Sequence, residues 1–427
     1  MKLFDARKGE TEALLSMLHS RTQTVSDDIT SKVRGVIDAV RENGDAALYR
    51  YSAMFDGTTP DHLEMTREER AAAAAKVSAP LLETMKKAAE NIRAYHRHQL
   101  ADGYEFEADG KTLGRVVRPL ARVGVYVPGG TAAYPSTVLM NCIPAKVAGV
   151  SEIILVTPPK AGGIHPAIAA AAEIAGVDRI FTVGGAQAVA ALAYGTETIP
   201  QVDKIVGPGN MFVAEAKRQV YGTVAIDMIA GPSEVLVIAD ASAKPRYVAA
   251  DLLSQLEHDR CASAVLITTE PSLVEAVGTE LDRQLARLPR KDIAGASLAD
   301  YSAAVLVNSM TEAVALANRV APEHLEIVTE DPYVLLPQIE NAGSVFLGEY
   351  APEPMGDYFA GANHVLPTNG TARFASPLSV DDFVKKMSYL SYTKEAFFRD
   401  AEDVIRFAEA EGLGAHANSV RVRRNEF

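Results

Sequence analysis

From residue 115 onward the chain alternates strand-like and helix-like runs, and this pattern restricts the possible folds more than any other feature. Short apolar runs typical of strands occur at 123–127, 152–156, 179–183, 203–206 and 234–238. Helix-like runs lie between them, at 137–149, 165–175, 186–194 and 211–220. Alternation at this spacing is typical of βαβ units, in which parallel strands form one sheet. We therefore predict a mostly parallel sheet in this region.

A second alternating series follows the first. Its strands are predicted at 264–268, 304–308, 325–328 and 344–347, and its helices at 244–258, 272–287, 311–320 and 332–341. Residues 26–100 and 380–415 also have helical spacing. We predict the α/β class, with two Rossmann-like parallel-sheet domains, a helical N-terminal arm and a helical C-terminal segment. The predicted bounds are 1–25 for the arm, 26–120 with 232–378 for one α/β domain, 121–231 for the other, and 379–427 for the C-terminal segment.

Charge and composition exclude several classes of protein. The formal net charge of −13 argues against nucleic-acid binding. The chain has no uncharged apolar stretch of 18 residues, so we expect no membrane span. The amino terminus has mixed charge and no following apolar run, unlike a signal peptide. The two cysteines cannot build a disulfide framework. We expect a soluble cytoplasmic protein.

The dipeptide Glu323-His324 is the strongest candidate for chemistry. A carboxylate and an imidazole side by side can share proton transfer near neutral pH. Pro322 disfavours helix for Ala321, so we expect an extended turn just before the strand at 325–328. Taken alone, the dipeptide also fits a surface glutamate beside a structural histidine.

Three weaker motifs could supply metal ligands. Gln255 and His258 are three residues apart and share one face of a predicted helix. Asp357 and His364 lie in a glycine-rich loop, and His416 follows two glycines near the carboxyl terminus. Each motif has a plainer interpretation: a solvated helix face, an Asx turn and an exposed terminal histidine, respectively.

Polar residues follow or end several strands of the first series. Tyr126, Gln187 and Asn210 lie in or near its turns, where a parallel sheet can hold a nucleotide. No strict Gly-x-Gly-x-x-Gly follows the first strand, so this motif alone leaves nucleotide binding open. Cys142 and Cys261 are alternative candidates, as thiol nucleophiles for aldehyde oxidation. A small buried hydrophobic role fits Cys142 better, and a plain loop position fits Cys261.

Together these motifs resemble one family, histidinol dehydrogenase, over nearly the whole chain. The matching stretches, in the family's order, are 124–130 (GVYVPGG), 206–210 (VGPGN), 230–234 (AGPSE), 253–258 (LSQLEH), 321–326 (APEHLE), 356–358 (GDY), 363–368 (NHVLPT) and 370–374 (GTARF). The resemblance implies oxidation of L-histidinol to L-histidine, the last step of histidine biosynthesis, with two NAD and one zinc ion per site.

The resemblance also implies the role of each site residue. The acid–base pair would be Glu323 and His324. The zinc ligands would be Gln255, His258, Asp357 and His416. Substrate contacts would come from Ser233, Gln255, His258, His324, Asp357, Glu411 and His416. NAD contacts would come from Tyr126, Gln187 and Asn210. The family is a homodimer in which the carboxyl-terminal segment reaches into the partner's site, so the resemblance implies that Glu411 and His416 come from the partner chain.

Three other functions compete with this expectation. A paralogue could oxidise a different polar alcohol, such as a sulfonated diol, although the presence of both Glu411 and His416 argues for histidinol. A zinc hydrolase could use Glu323 on a metal-bound water. A non-catalytic, metal-stabilised binding protein would need neither NAD nor His324.

Overall fold

A computed structural model describes residues 1–21, 27–129 and 133–424, so Gly130 of the first matching stretch lies outside it. In chain order the strands are β1 (Lys2–Asp5), β2 (Tyr104–Ala108), β3 (Lys111–Pro119), β4 (Arg122–Tyr126), β5 (Glu152–Thr157), β6 (Arg179–Thr182), β7 (Lys204–Val206), β8 (Ala225–Ile226), β9 (Glu234–Ala239), β10 (Ser263–Thr268), β11 (Ala303–Leu306), β12 (His324–Val328), β13 (Ser344–Leu347) and β14 (Val384–Tyr392). The helices are α1 (Thr11–His19), α2 (Asp27–Tyr51), α3 (Arg67–Ala74), α4 (Ala79–Arg97), α5 (Pro135–Ala148), α6 (Pro166–Ala175), α7 (Gly185–Tyr194), α8 (Met211–Val220), α9 (Pro245–Leu256), α10 (Pro271–Leu285), α11 (Lys291–Tyr301), α12 (Met310–Val320), α13 (Glu353–Met355), α14 (Lys394–Ala410) and α15 (Gly414–Arg424).

The strands form three sheets. A six-stranded sheet has the order β1-β11-β10-β9-β12-β13, and a five-stranded sheet has the order β6-β5-β4-β7-β8. Every pairing in these two sheets is parallel. The third sheet, β14-β3-β2, is antiparallel. The predicted α/β class with parallel sheets is therefore confirmed.

Both parallel sheets are covered on two faces, which explains their continuous apolar runs. In β5, Ile153 and Leu155 pack in one core with α4, α5 and α6. Ile154 and Val156 point the opposite way, into a core with α2 and α7. The six-stranded sheet is layered in the same manner, between α9–α11 and the pair α1 and α12.

The amino-terminal helices have a different partner from the one that the sequence suggested. The predicted domain bounds group residues 26–120 with the later α/β series. In the structure, apolar side chains of α2 and α4 are buried in the cores of the five-stranded sheet. Helical periodicity shows which face of a helix is apolar, but not which sheet covers it. The predicted capping box of Thr66 and Glu69 is present at the start of α3.

The structure corrects three local predictions. Residues 332–341 contain two short 3-10 turns, Pro332–Val334 and Leu336–Gln338, instead of a helix, because an interior proline breaks helical hydrogen bonding. The segment 379–427 contains a 3-10 turn, Val380–Phe383, and strand β14 before its two helices. The arm 1–25 contributes an edge strand, β1, whose parallel partner is β11.

The chain divides into two compact units. Unit 1 comprises residues 1–99 and 120–383, with both parallel sheets, and unit 2 comprises residues 100–119 and 384–427. In unit 2 the antiparallel sheet joins helix α14 through Thr393, whose backbone N–H donates to the carbonyl of Gly110 at 2.8 Å. Lys111 also pairs with Asp400 at 3.1 Å. None of the helices in the described residues has the length and apolar character needed to cross a membrane.

Candidate active site

The candidate residues of unit 1 converge at the amino ends of two neighbouring strands. Strands β9 and β12 pair so that His324 lies opposite Val235, which brings Glu323 beside Glu234 at the edge of the sheet. Helix α9 runs antiparallel to β9, so its carboxyl end carries Gln255 to the same edge. The order of the chain thus joins motifs that are about 70 residues apart in sequence.

A cavity of about 420 Å³ opens at this edge. Its lining includes these residues that the sequence singled out: Asn210, Ser233, Gln255, His258, Glu323, His324, Asp357 and His364. It also includes the loop 207–210 that follows β7. One cavity therefore connects the amino edge of the six-stranded sheet with the carboxyl edge of the five-stranded sheet.

Backbone geometry holds the Glu323-His324 pair in place. The residue before Pro322, Ala321, ends helix α12 in the left-handed region with φ of 50°, rather than in the predicted extended conformation. Such a conformation costs a residue with a side chain about 1–2 kcal/mol. His324 then opens strand β12, and its Nδ1 donates to the carbonyl of Glu234 at 3.0 Å. Both members of the pair are buried.

Burial and neighbouring charges shift the acidity of this pair. Burial raises the pKa of Glu323 to about 7, and the nearby charge of Glu234 adds to the rise against the opposing effect of His324. Burial by itself lowers the pKa of His324, but the charge of Glu323 and the hydrogen bond and charge of Asp357 outweigh it and raise that pKa to about 10. The distances are short enough for these effects: His324 Nδ1 lies 3.6 Å from Glu323 Oε2, and His324 Nε2 lies 3.4 Å from Asp357 Oδ1. The charge of each group therefore affects the pKa of its neighbour.

Three of the four predicted metal ligands line this cavity. Gln255 is buried, and its Oε1 has no hydrogen-bond partner in the part of the chain that the structure describes, which is costly unless a ligand satisfies it. Desolvation lowers the pKa of His258, which favours the neutral imidazole that metals bind. The hydrogen bond from His324 and the charges of His364 and His324 overcome burial and lower the pKa of Asp357, which favours the carboxylate. This donor set of amide oxygen, imidazole and carboxylate suits zinc.

A second group of possible ligands overlaps the first. The ligand atoms of His324, Glu353 and Asp357 lie within 4.8 Å of one another. Asp357 belongs to both groups, so it is the common member of either metal site. The first group adds Gln255 and His258 to Asp357, whereas the second adds His324 and Glu353.

The fourth implied metal ligand, His416, lies in unit 2, together with Glu411, which the resemblance implies as a substrate contact. Glu411 caps the end of α14, and His416 is in the first turn of α15. Both side chains are exposed on that unit.

Two of the three predicted NAD-binding residues also have visible structural roles. The backbone N–H of Gly185 donates to the Tyr126 hydroxyl at 3.0 Å. Asn210 caps α8, since its Oδ1 accepts from the backbone N–H groups of Phe212 and Val213 at 3.1 and 3.2 Å. Gln187 is fully buried, and among the described residues neither atom of its amide has a hydrogen-bond partner. A ligand that reached this amide would satisfy both atoms.

The sequence did not point to a cluster of buried carboxyl groups behind the site. The backbone N–H of Glu353 donates to Glu326 Oε1 at 2.8 Å, and Ser254 Oγ donates to Glu353 Oε2 at 3.1 Å. Burial raises the pKa of Asp251 to about 6, and burial together with the charge of Asp251 raises that of Glu326 well above its usual range. No acidic spacing motif marks these residues, because only packing brings them together.

We expect the substitution Glu326→Gln to reduce the loss of stability that occurs as the pH rises from 5 to 8. A raised carboxyl pKa means that the folded protein holds its proton more tightly, so stability is lost as pH rises through the folded-state value. The free energy of unfolding of the wild type should fall as the pH rises from 5 to 8, and that of the variant should fall less, because the variant has no carboxyl proton to lose at this position. Denaturant titrations at both pH values measure this, with exposed Glu42→Gln as the control. Equal pH slopes in Glu326→Gln and the wild type would contradict it.

The two cysteines are poor candidates for a nucleophile. Cys142 is fully buried, and burial raises its pKa far above the usual range. Burial also raises the pKa of Cys261, with the charge of Asp259 adding to it. Neither thiol is favoured as the reactive thiolate.

Comparisons with known proteins agree over nearly the whole chain. The histidinol dehydrogenase family model matches residues 19–424. Histidinol dehydrogenase of Clostridium acetobutylicum is 54% identical over 414 residues, covering 96% of each chain, and that of Lactococcus lactis is 50% identical over 423 residues, covering 98% of each. The crystal structure of histidinol dehydrogenase from Elizabethkingia anophelis matches with a TM-score of 0.94 at 40% identity, covering 99% of this chain and 98% of that one.

The fold and the cavity define an α/β protein with a buried carboxylate–imidazole pair at the edge of a parallel sheet. The extent of these matches identifies it further: the chain belongs to the histidinol dehydrogenase family. It is therefore an oxidoreductase, and the resemblance found in its sequence is confirmed. This membership argues against the hydrolase and the non-catalytic binding protein.

Proposed function

We propose that this protein oxidises L-histidinol to L-histidine through L-histidinaldehyde, using two NAD and one zinc ion per site, as the last step of histidine biosynthesis. The observation that carries the proposal is the cavity in which Glu323 and His324 meet Gln255, His258 and Asp357, in a chain of this family. A cytoplasmic location is part of the same proposal, in keeping with the acidic composition.

Gln255, His258 and Asp357, joined by His416, would hold the zinc ion. The unpartnered Oε1 of Gln255 and the neutral imidazole favoured at His258 support this assignment. Zinc bound there would supply a positive charge that attracts and orients the nitrogen groups of histidinol. We prefer this set to the one with His324 and Glu353, because it leaves His324 free for proton transfer.

The carboxyl edge of the five-stranded sheet would receive NAD, which supplies the hydride acceptor when bound. Helices α7 and α8 begin at this edge, and the positive end of each helix dipole favours a phosphate group there. The unpartnered amide of Gln187 can donate to and accept from the cofactor. Tyr126 and Asn210 belong to the same edge, so both remain proposed contacts.

His324 would take the proton of the substrate alcohol as the hydride leaves carbon. Its Nδ1 donates to the Glu234 carbonyl, so Nε2, on the side of Asp357, is the atom that accepts. A cation held by Asp357 would oppose the negative charge that raises the pKa of His324, so the ring could then be neutral. General base catalysis of this kind typically contributes ~10²–10⁴-fold.

Glu323 would act in the second half-reaction. Water adds to the aldehyde carbon, its proton passes to the carboxylate, and the resulting hydrate loses the second hydride. A carboxyl group with a pKa of about 7 can both accept and release a proton near neutral pH. Ser233 and Glu411 would add contacts to the substrate's polar groups.

The test is NADH formation by purified enzyme with L-histidinol, compared with other polar alcohols and with sulfonated diols. We expect histidinol to be the preferred substrate and to yield two NADH per molecule consumed. Turnover of another alcohol or diol without turnover of histidinol would instead support the paralogue.

The proposed homodimer predicts complementation between two inactive variants. If His416 acts in the partner's site, a hybrid of one His324→Asn chain and one His416→Asn chain contains one intact site. Random mixing of the two should then restore about a quarter of wild-type activity, because half of the dimers are hybrids with one site of two. Two affinity tags isolate the hybrid for the assay. An inactive hybrid would mean that His416 acts within its own chain.

A further inference from the structure

A buried ion pair lies directly behind the proposed acid–base pair. Arg21 and Glu234 are each 4% exposed, and Arg21 Nη2 lies 2.5 Å from Glu234 Oε1. Arg21 also donates to the carbonyls of Leu18 at 3.1 Å and Cys261 at 3.2 Å. The guanidinium is thus fixed by the backbone as well as by the carboxylate, as expected for a buried charge.

The side-chain carboxylates of Glu234 and Glu323 each accept a hydrogen bond from the backbone of the other residue. The backbone N–H of Glu234 donates to Glu323 Oε2 at 2.8 Å, and that of Glu323 donates to Glu234 Oε2 at 3.3 Å. The other oxygen of Glu234, Oε1, accepts from the backbone N–H of Asn369 at 3.0 Å in addition to Arg21. Each carboxylate therefore fixes the strand end that carries the other.

Glu234 also orients the imidazole. Its carbonyl accepts from His324 Nδ1 at 3.0 Å, which favours the tautomer with a free Nε2. Displacement of this carbonyl would alter the orientation of the ring and the position of its accepting atom. Glu234 thus touches both proposed acid–base residues, while its own carboxylate is occupied by Arg21, Asn369 and Glu323.

We propose that Arg21 and Glu234 form a positioning unit that holds Glu323 and His324 in their reactive arrangement. This inference rests on the proposed function of those two residues. Arg21 balances the charge of Glu234, so that two neighbouring carboxylates can occupy one strand edge. The unit acts through Glu323 and His324, without contact with the substrate.

The test begins with Glu234→Gln, which keeps the size of the side chain but replaces one accepting oxygen with an NH₂ group. We expect kcat with L-histidinol to fall about 10–100-fold, the usual effect of losing an outer partner of a site. The KM for histidinol and the zinc content should change by less than about threefold, because Glu234 belongs to neither proposed binding set. Arg21→Lys, which keeps the charge, should retain most of the activity.

Two further variants separate positioning from folding. The double variant Arg21→Met/Glu234→Gln removes the buried charges together and should fold even if Glu234→Gln does not, with the same loss of kcat. Arg70→Met removes another buried arginine, which contacts the half-exposed Glu173, and should lower the melting temperature without lowering kcat. A folded, zinc-loaded double variant with wild-type kcat would overturn the inference. So would a kcat loss in Arg70→Met equal to that in Glu234→Gln.

His324→Asn, measured beside these variants, distinguishes a failure of the positioning unit from a failure of the proposed acid–base role. If His324→Asn is inactive while the Arg21 and Glu234 variants keep full kcat, the positioning unit is refuted and the proposed function stands. If His324→Asn keeps full activity, the proposed acid–base role fails, and the positioning unit fails with it.

Discussion

Replacement of His324 with asparagine should abolish turnover of L-histidinol while zinc stays bound. The asparagine amide can retain the hydrogen bond that Nδ1 makes to the Glu234 carbonyl, but it has no atom at the position of Nε2. Loss of the proton acceptor should lower kcat by at least ~10²–10⁴-fold. Steady-state NADH formation and metal analysis on the same preparation measure both parts of this prediction.

The exposed residue His62, which pairs with Glu69 at 2.9 Å, provides the matched control. His62→Asn should leave both kcat and zinc content at wild-type values. Substantial turnover by the zinc-loaded His324→Asn variant would contradict the acid–base role. Loss of zinc from that variant would indicate that His324, with Glu353 and Asp357, holds the ion.

Replacement of His258 with alanine should remove zinc and, with it, activity. Loss of a direct ligand should weaken metal affinity by more than the ~10–100-fold that the loss of an outer partner of a metal site typically causes. The fold should tolerate the change, because the imidazole is exposed to the cavity. Zinc content after dialysis, and the recovery of NADH formation on titration with zinc, measure the effect.

His98→Ala is the control for this substitution, since His98 is an exposed residue that ends helix α4. It should retain full zinc. A His258→Ala variant that also retains zinc would reject the proposed ligand set. If His324→Asn then lost the ion, the alternative set would be supported, so the two substitutions together discriminate between them.

Local sequence signals predicted the elements better than their partners. Strand–helix alternation from residue 115 correctly predicted two parallel sheets, because buried parallel strands are continuous apolar runs. The same signals grouped α2 and α4 with the later series, although they pack on the five-stranded sheet. The apolar pattern of a helix does not specify which sheet covers that face, so only the tertiary structure identifies its partner.

The site shows the same division. The general rule for parallel sheets favours ligands at the carboxyl ends of strands, and the predicted NAD-binding residues follow it. The Glu323-His324 pair lies at an amino end instead, because β12 begins at His324 and α9 returns Gln255 to that edge. A rule about one sheet could not anticipate a cavity that joins opposite edges of two sheets.

The sequence by itself determined the alternating α/β pattern, the family and the chemical types of the candidate residues, because these depend on residue identity and spacing. Only the tertiary structure decided that Arg21 and Glu234 meet behind the proposed acid–base pair, and that Asp251, Glu326 and Glu353 share one buried region. It also decided the acidities of Asp251, Glu326 and Glu353. A pKa depends on burial and on charges within a few ångströms, and residues that are distant along the chain become neighbours only through folding.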